Sequence, residues 1–337
     1  MNKLINPFKF FTLLTFALAP ILGKAGFGDN IEKKRTISKT YTVSGSDKLS
    51  IENSFGNVVV STWDKNEIQV DVTIGVNAPT EEKALQMLDQ ISVDNKQSNQ
   101  EITFKTDIGN MGKSKGNNNN GDDRKFFVDY KISMPSKNPL TIENSFGKTV
   151  VPAFEGIASL TSKFGELTTG NMENAKLIHV EFGQATVGTL NNTEVIFKFN
   201  GRSSVAGLSG NSKVHVEFCD HVNLSIDNKL TDLGLFESYS SIHLGVPENL
   251  SAHFEIHTNF GSFDNKTEFN IEEEREDEGS GPKFDKDYSG SAGSGAAKIK
   301  IKSSFGSIKM ANVNDKSADK EDSEDDDKDK DKGKADM

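Results

Sequence analysis

One short segment recurs along the whole chain. Ile51–Val60 reads IENSFGNVVV, and Ile142–Val151 repeats it as IENSFGKTVV. More divergent copies follow at spacings of 17 to 21 residues as far as Phe260, one further copy lies at Phe305, and none contains helical heptads. A period near 20 residues is typical of units that bury their apolar face only by stacking on one another. The aromatic residues that align the nine copies are Phe55, Phe146, Phe164, Phe182, Phe199, Phe218, Tyr239, Phe260 and Phe305.

Each unit predicts a longer strand, a glycine kink and a shorter strand. The residue four positions before the aromatic residue is always apolar, as in Ile51, Leu160 and Val214. Strand side chains alternate between faces with a period of two, so this position and the aromatic residue are both expected to point inward. A small residue, usually glycine, follows the aromatic residue and indicates a bend. We therefore expect a mainly β fold, a single-stranded β-helix (β-solenoid) winding right-handed, with about nine rungs and an internal aromatic stack.

The N-terminal segment predicts export. Met1–Ala25 has Lys3 and Lys9, then an apolar run from Phe10 to Leu22 and the small-x-small triplet Gly23-Lys24-Ala25. These are the features of a secretory signal peptide cleaved near Ala25, with a retained signal anchor as the alternative. No later stretch approaches the roughly 18 apolar residues of a membrane span. We expect a secreted, periplasmic or cell-surface protein with no transmembrane segment in the mature chain.

Composition shifts divide the rest of the chain. The 62–139 segment interrupts the repeats and predicts a small β-α-β-β cap, with Thr80 as helix N-cap and a loop over 113–123. The predicted divisions are a signal peptide (1–25), N-terminal strands and first rung (26–61), the inserted unit (62–139), the rungs (140–264), an acidic Gly/Ser-rich excursion (265–297), a final rung (298–313) and a disordered acidic tail (314–337).

Charge excludes one class of partner. The formal net charge is −11, and the segments Asp264–Asp287 and Asp315–Asp336 carry −6 and −5 of it. The remainder of the chain is close to neutral and offers no basic patch. We therefore expect no nucleic-acid binding.

Three histidines share one outward column, but their spacing argues against a metal site. His179, His215 and His257 each lie three residues before the aromatic residue, with Ile196 and Phe236 in intervening units. Strands pair about 4.8 Å apart, so neighbouring histidines are about 10 Å apart. Zinc ligands lie about 2.1 Å from the metal, so surface histidines are the better interpretation.

Two other features favour structural roles. The residues directly before four successive aromatic positions alternate in charge, and they predict a charge ladder that specifies which unit stacks on which: Lys163, Glu181, Lys198 and Glu217. The single cysteine, Cys219, stands where other units have glycine, and we interpret it as a small residue in a tight corner.

The sequence indicates a binding or scaffold role more than an enzyme. It has four arginines and lacks a lipase-type serine elbow, a Gly-x-Gly-x-x-Gly loop and an HExxH motif. We predict no catalytic, cofactor-binding or metal residue and no cofactor. The favoured hypothesis is a non-catalytic, adhesin-like module that binds an envelope protein or an extracellular glycan. The alternative is a carbohydrate-active β-helix enzyme, a polysaccharide lyase or hydrolase, which would need clustered carboxylates in a groove.

A resemblance to a known family points the same way. The segment SIENSFGNVVVSTW and the later SKFGEL, VEFGQA and KSSFGSI resemble bacterial secreted β-solenoid proteins of unknown function, the head-GIN-like or DUF-type "putative adhesin" family common in Bacteroidetes. The resemblance covers most of Thr40–Met310. It implies the β-solenoid fold and an adhesin-like role, and brings no catalytic or binding residues. Asn200 and Cys219 depart from the Phe-Gly pattern.

Overall fold

The protein is mainly β with one helix. The computed structural model describes residues 30–109, 126–274 and 284–313. The helix is α1 (Glu81–Gln90). The strands are β1 (Ile31–Thr42), β2 (Lys48–Ser54), β3 (Val58–Thr62), β4 (Glu67–Ala78), β5 (Ser92–Ser98), β6 (Glu101–Asp107), β7 (Phe126–Met134), β8 (Leu140–Ser145), β9 (Lys148–Val151), β10 (Phe154–Lys163), β11 (Glu166–Thr169), β12 (Met172–Glu181), β13 (Gln184–Asn191), β14 (Glu194–Lys198), β15 (Arg202–Glu217), β16 (His221–Ser238), β17 (Ser241–Val246), β18 (Ala252–Asn259), β19 (Ser262–Asn265), β20 (Asn270–Glu273), β21 (Asp285–Ala292), β22 (Ala297–Ser304) and β23 (Ser307–Asn312).

Several sequence-based predictions fall outside the described residues. They are the signal peptide at 1–25, the loop at 113–123 and the disordered tail at 314–337. Part of the acidic excursion, residues 275–283, also lies outside them.

The strands that precede the aromatic residues pair in one parallel stack. The apolar residues four positions before the aromatic ones face each other across every pair, so the alignment of the units is confirmed residue by residue. All of them are buried, with at most 2% of their surface exposed. Stacking therefore gives each unit the apolar neighbour that it lacks alone. In order along the stack the row is Ile51, Ile142, Leu160, Ile178, Val195, Val214, Leu235, Ile301 and Ile256.

The strands that follow the aromatic residues form a second parallel stack, and glycines at the corner between the two stacks set how closely neighbouring units approach. A Cβ built on Gly165 would lie 2.0 Å from the carbonyl oxygen of Gly147, and one on Gly183 would lie 2.1 Å from that of Gly165. Real Cβ atoms do not approach oxygen this closely, so the corners at Gly165 and Gly183 require the absence of a side chain. The second stack runs β7, β3, β9, β11, β13, β15, β16, β17, β23 and β19.

The inserted segment covers one end of both stacks. It contains four strands and a helix, one strand more than the predicted β-α-β-β order. β6 pairs in parallel with β2, and β7 pairs in parallel with β3. Thr80 caps α1 by accepting a hydrogen bond from the Lys83 N–H, as predicted. Because strand edges expose unpaired backbone groups, this pairing satisfies the first repeat of the array.

The last unit does not stack in chain order. β22 pairs in parallel with β16 on one side and with β18 on the other, and β23 lies between β17 and β19. The final unit is therefore inserted between the two units that precede it. β21 runs antiparallel to β18 on the edge opposite β22. The turn from β21 to β22 passes over Ser251, whose Oγ accepts hydrogen bonds from the Ser294 and Ala296 N–H groups.

A carboxyl group is buried at this insertion. Glu237 on β16 is 4% exposed, and its Oε1 accepts a hydrogen bond from the Ser240 N–H at 2.7 Å. Its Oε2 accepts one from the Ser303 hydroxyl of β22 at 2.5 Å. A Cβ on Gly306 would lie 1.9 Å from Oε1, so the glycine leaves the space that the carboxyl occupies. Burial raises the pKa of Glu237 above its ordinary value of 4.5, against the lowering effect of these hydrogen bonds.

We expect Gly165→Ala to lower the free energy of unfolding by about 1 to 3 kcal/mol or more, because its Cβ would overlap the Gly147 carbonyl. The matched control is Gly201→Ala, since no atom lies within 4 Å of a Cβ built there. The control should stay within about 0.5 kcal/mol of the parent. Denaturant unfolding of both variants measures the difference, and equal stability would contradict the close approach of the units.

We expect Glu237→Gln to gain stability relative to the parent as the pH rises. A carboxyl whose pKa is raised on folding contributes stability that is fully present below its unfolded pKa of 4.5 and is lost as the pH rises through the folded pKa. Glutamine does not titrate there. The difference in Tm between variant and parent, followed from pH 4 to 8, should therefore move in favour of the variant. A difference that stays constant, or moves toward the parent, would show that folding does not raise this pKa.

Candidate functional site

The nine aromatic residues lie at the surface, so the predicted internal stack is wrong. All nine have a positive φ, between 51° and 62°. Phe55 and Phe146 are partly buried, and the other seven are 43–52% exposed. Alternation places a side chain inward only while the backbone stays extended. The left-handed conformation at the aromatic residue breaks the alternation and turns the ring outward, whereas Ile178 four residues before Phe182 stays inside.

The rings form one continuous stack on the outside of the protein, which we call the aromatic stripe. Neighbouring repeat rings are 4.7–5.1 Å apart, with interplanar angles of 6° or less. Phe126 packs on Phe55 at one end, and Phe284 stacks on Phe260 at the other. The order is Phe126, Phe55, Phe146, Phe164, Phe182, Phe199, Phe218, Tyr239, Phe305, Phe260 and Phe284.

A hydrogen bond at every corner holds the rings in this register. The N–H of Phe164 donates to the carbonyl of Glu181 at 2.9 Å, and the N–H of Phe182 donates to that of Lys198 at 3.0 Å. The same bond recurs for all nine aromatic residues, at 2.8–3.0 Å. For eight of them the acceptor is the residue before the next ring of the stripe, and for Phe260 it is Phe284, which carries the next ring. Ring spacing therefore follows the spacing of backbone hydrogen bonds between strands, about 4.8 Å.

An open groove runs along one side of the stripe. Its volume is about 720 Å³, and the edges of Phe164, Phe182 and Phe199 form one wall. The backbone of Gly147, Gly165 and Gly183 lies beside them. The other lining residues are polar: Asn57, Lys148, Glu166 and Gln184. The groove thus combines apolar ring edges with a row of hydrogen-bonding and charged groups, which suits an extended partner more than a compact one.

Charged pairs flank the stripe on both sides. On the groove side, Lys148 contacts Glu166 at 2.9 Å, and this contact is the main reason why the Glu166 pKa lies below its usual value. On the opposite side, the residues directly before the rings form a column that we call the flanking column. Within it, Lys163 contacts Glu181 and Lys198 contacts Glu217, each at 3.0 Å. The alternating signs predicted from the sequence therefore pair between neighbouring units.

The three predicted histidines share a column but do not come together. Ile196 separates His179 from His215, and Phe236 and Lys302 separate His215 from His257. His215 stacks on Phe236 with ring centroids 4.9 Å apart. Desolvation lowers the pKa of both His179 and His215. His257 is paired with Asp287 at 2.8 Å.

Cys219 lies in a corner position and is 3% exposed. Its N–H donates to the Ser240 hydroxyl, and burial raises the pKa of its thiol. A raised pKa lowers the thiolate fraction, which is the reactive form. This environment fits the interpretation of Cys219 as a small packing residue.

The described part of the chain contains neither a metal-ligand cluster nor a membrane-spanning helix. Across residues 30–109, 126–274 and 284–313, no group of three or more His, Cys, Asp or Glu side chains could hold a metal ion. Over the same residues, none of the helical structure has the length and apolar character of a membrane span. The absence of catalytic and cofactor residues stays a prediction from the sequence.

The stripe is the surface that sequence reasoning missed. The available signal was the small residue directly after each aromatic residue, which marks a break in the extended backbone. Period-two alternation does not extend through such a break. The alternation therefore does not determine the direction of the side chain at the kink, and extending it through the kink gives the wrong, inward direction.

We expect Phe182→Ala to cost about 1 to 3 kcal/mol, since it removes two stacking contacts that are each worth roughly 0.5 to 1.5 kcal/mol. The matched control is Ile178→Ala in the same unit, where a fully buried side chain is lost at a cost of about 2 to 5 kcal/mol. Thermal or denaturant unfolding compares the two. If the phenylalanine variant loses as much stability as the isoleucine variant, or more, the ring is not at the surface.

Comparisons with known proteins give structural likeness only. No family model matches the chain, and no curated protein matches it. Among solved structures, a "putative cell adhesion protein" from Clostridium sporogenes is 14% identical, with a TM-score of 0.27, over 82% of this chain and 99% of its own. A "putative adhesin" from Parabacteroides merdae is 8% identical, with a TM-score of 0.30, over 82% and 96%. A "putative lipid binding protein" from Parabacteroides distasonis is 13% identical, with a TM-score of 0.26, over 85% and 98%. The names of the first two are those of the bacterial adhesin group that the sequence resembles.

Proposed function

We propose that this chain is a non-catalytic binding or scaffold module of the cell envelope or the secreted fraction, and that it makes its contacts through the aromatic stripe and the adjoining groove. The observation that carries the proposal is the row of ring edges exposed along the stack. Soluble monomers rarely expose contiguous apolar patches larger than a few hundred Å² unless the patch binds something.

Stability alone accounts for only part of the stripe. Stacking between neighbours covers the faces of the rings and stabilises the corners. It leaves the edges open to solvent along the whole length. The left-handed backbone at each ring costs roughly 1 to 2 kcal/mol for most residues with a side chain. Glycine, or asparagine with its short polar side chain, would lower this cost. The persistence of an aromatic ring at all nine positions therefore supports a role for the exposed edge.

The architecture in this proposal is the β-solenoid. The two parallel stacks and the nine corner hydrogen bonds support a single-stranded β-helix of about nine rungs, with 62–139 as a cap and 298–313 as the final rung. Right-handed winding and the other predicted divisions of the chain into segments are part of the same proposal. Extended solenoid flanks suit extended partners, because successive units present the same groups at a constant spacing.

Export is also proposed, on the pattern of Met1–Ala25. The partner would then be an envelope protein or an extracellular glycan. Weak contacts repeated along many units can add up to firm attachment without a deep pocket.

The alternative is a carbohydrate-active enzyme. Glu166 is the groove carboxylate that such a reaction would need, and Lys148 holds its pKa below the usual range. A general acid in glycoside hydrolysis needs a raised pKa instead. Glu237, whose pKa is raised, is 4% exposed and makes its contacts within the core. Both observations favour binding over catalysis.

The test compares binding and turnover in one set of samples. We expect purified protein to be retained on immobilised cell-envelope polysaccharides or envelope proteins. Retention should fall at least about tenfold when Phe164, Phe182 and Phe199 are all replaced by Asn, which tolerates the left-handed backbone. Ile157→Asn, at an exposed apolar residue outside the stripe, should retain binding.

A reducing-end assay on the same polysaccharides decides between the two functions. Sustained turnover that is abolished by Glu166→Gln would replace the binding module with the enzyme. Equal retention of the parent and the triple variant would show that the stripe is not the contact surface.

A further inference from the structure

We propose that the aromatic stripe docks a second copy of this chain, with the two stacks antiparallel and related by a two-fold axis. This inference rests on the proposed function, because it names the partner that the stripe contacts. The occupant is indicated by the order of charges in the flanking column, which is complementary to its own reverse.

The order follows from strand register. Along the stack, two serines precede four alternating charges, and two more serines and an asparagine follow them. The sequence of residues is Ser54, Ser145, Lys163, Glu181, Lys198, Glu217, Ser238, Ser304 and Asn259.

A two-fold axis that passes between the units of Phe182 and Phe199, parallel to the strands, places this column opposite its own reverse. Lys163 then faces Glu217 of the second copy, and Glu181 faces Lys198. Each of these contacts occurs twice in a two-fold interface, because the same patch is used by both copies. Serines face serines at both ends. Four attractive pairs are formed, and no pair of like charges occurs within the column.

The outward column of residues three positions before the rings is partly complementary to its own reverse in the same arrangement. Glu52 comes opposite Lys302, and Thr161 comes opposite His215. Glu143 comes opposite the apolar ring of Phe236, which contributes no pairing. On the groove side, Glu166 comes opposite Asp220, a repulsive contact that occurs twice, with the Lys148 ammonium group bound to Glu166 beside it. The four attractive pairs of the flanking column outnumber these two repulsive contacts.

A parallel arrangement of two copies fits less well. With the axis along the stack, the flanking column of one copy faces the groove side of the other, unit by unit. Lys163 would face Glu166, which is favourable, but Glu217 would face Asp220. The four alternating charges would then gain one attractive contact and one repulsive contact for each copy, so the antiparallel arrangement is favoured electrostatically.

The size of the surface indicates a weak dimer. Ten of the eleven rings overlap when the axis passes between Phe182 and Phe199, and at a spacing near 4.8 Å this overlap is roughly 40 Å long. With the adjoining columns it is roughly 15 Å wide, so each copy would bury about 600 Å². That area is at the low end of specific protein interfaces. Ring edges would supply the apolar core, and the charges at the margin would set the orientation. A micromolar dimer that weakens with added salt is therefore expected.

Sedimentation equilibrium of the purified chain tests the proposal, with a charge swap as the decisive variant. Lys163→Glu alone and Glu217→Lys alone should each weaken the dimer about tenfold or more, because each places like charges opposite one another. The double variant should recover the parent's dimerisation.

Within one chain the two positions cannot compensate each other. Lys163 pairs with Glu181, Lys198 pairs with Glu217, and both pairs stay broken in the double variant. Recovery of the dimer without recovery of Tm therefore identifies a contact between copies.

Three results would overturn the proposal. The first is a parent chain that stays monomeric up to about 100 µM, well above the Kd expected of such an interface. The second is a double variant that is as weak as the single variants. The third is a stronger dimer from Glu217→Lys alone, which would indicate the parallel arrangement. A monomeric chain whose binding to envelope material is lost in the Phe164, Phe182 and Phe199 triple variant would leave the proposed function standing and remove only this inference.

Discussion

The hydrogen bond at each corner is the interaction on which the rest of the structure depends. In all nine units the N–H of the ring residue donates to a backbone carbonyl of the neighbouring strand at 2.8–3.0 Å, and in eight of them the acceptor is the residue before the next ring. This hydrogen bond continues the strand pairing through a bend where pairing would otherwise stop. Since it fixes the separation of the units, the rings meet at stacking distance, and at Gly165 and Gly183 the following residue meets the neighbouring backbone so closely that only glycine fits. The same bond explains why a left-handed conformation, costly by itself, recurs nine times.

The sequence predicted the repeat and its register because both follow from apolar periodicity. The row that includes Ile142, Ile178 and Leu235 lies in one register and is buried, as the alternation of strand side chains requires. The direction of the aromatic residues could not be obtained in the same way. An aromatic residue is large and apolar, so a pattern based on hydrophobicity assigns it to the core, whereas one φ angle determines which side the ring occupies. The aromatic residues that identify the repeat are therefore also the residues that form the candidate site, and their exposure does not follow from the sequence pattern.

Periodicity also does not predict the order in which the last two units stack. The unit of Phe305 has the same spacing pattern as that of Phe260, and stacking in chain order would satisfy both. The structure instead places β22 between β16 and β18, with β21 on the far edge of β18. The connection that makes this possible is local. Gly293 and Gly295 adopt a positive φ. The Ser251 hydroxyl accepts hydrogen bonds from two backbone N–H groups of the same turn, directly before β22. A turn of this kind carries no apolar signal.

Buried polar groups and buried apolar side chains have opposite effects on the free energy of the inserted order. Glu237 obtains the Ser303 hydroxyl as a partner, while the Thr258 hydroxyl on β18 is buried without a hydrogen bond. Stacking in chain order would bring Thr258 beside Glu237 in place of Ser303, because both occupy the same position in their units. Glu237 would have one hydroxyl partner in either order, so its own hydrogen bonds do not distinguish them. The Thr258 hydroxyl left without a partner costs about 1 to 3 kcal/mol. In the observed order β22 and β23 are paired on both edges and bury Ile299, Ile301, Ile308 and Met310. Each of these side chains contributes roughly 1.5 to 3 kcal/mol when removed from water, so apolar burial outweighs the orphaned hydroxyl.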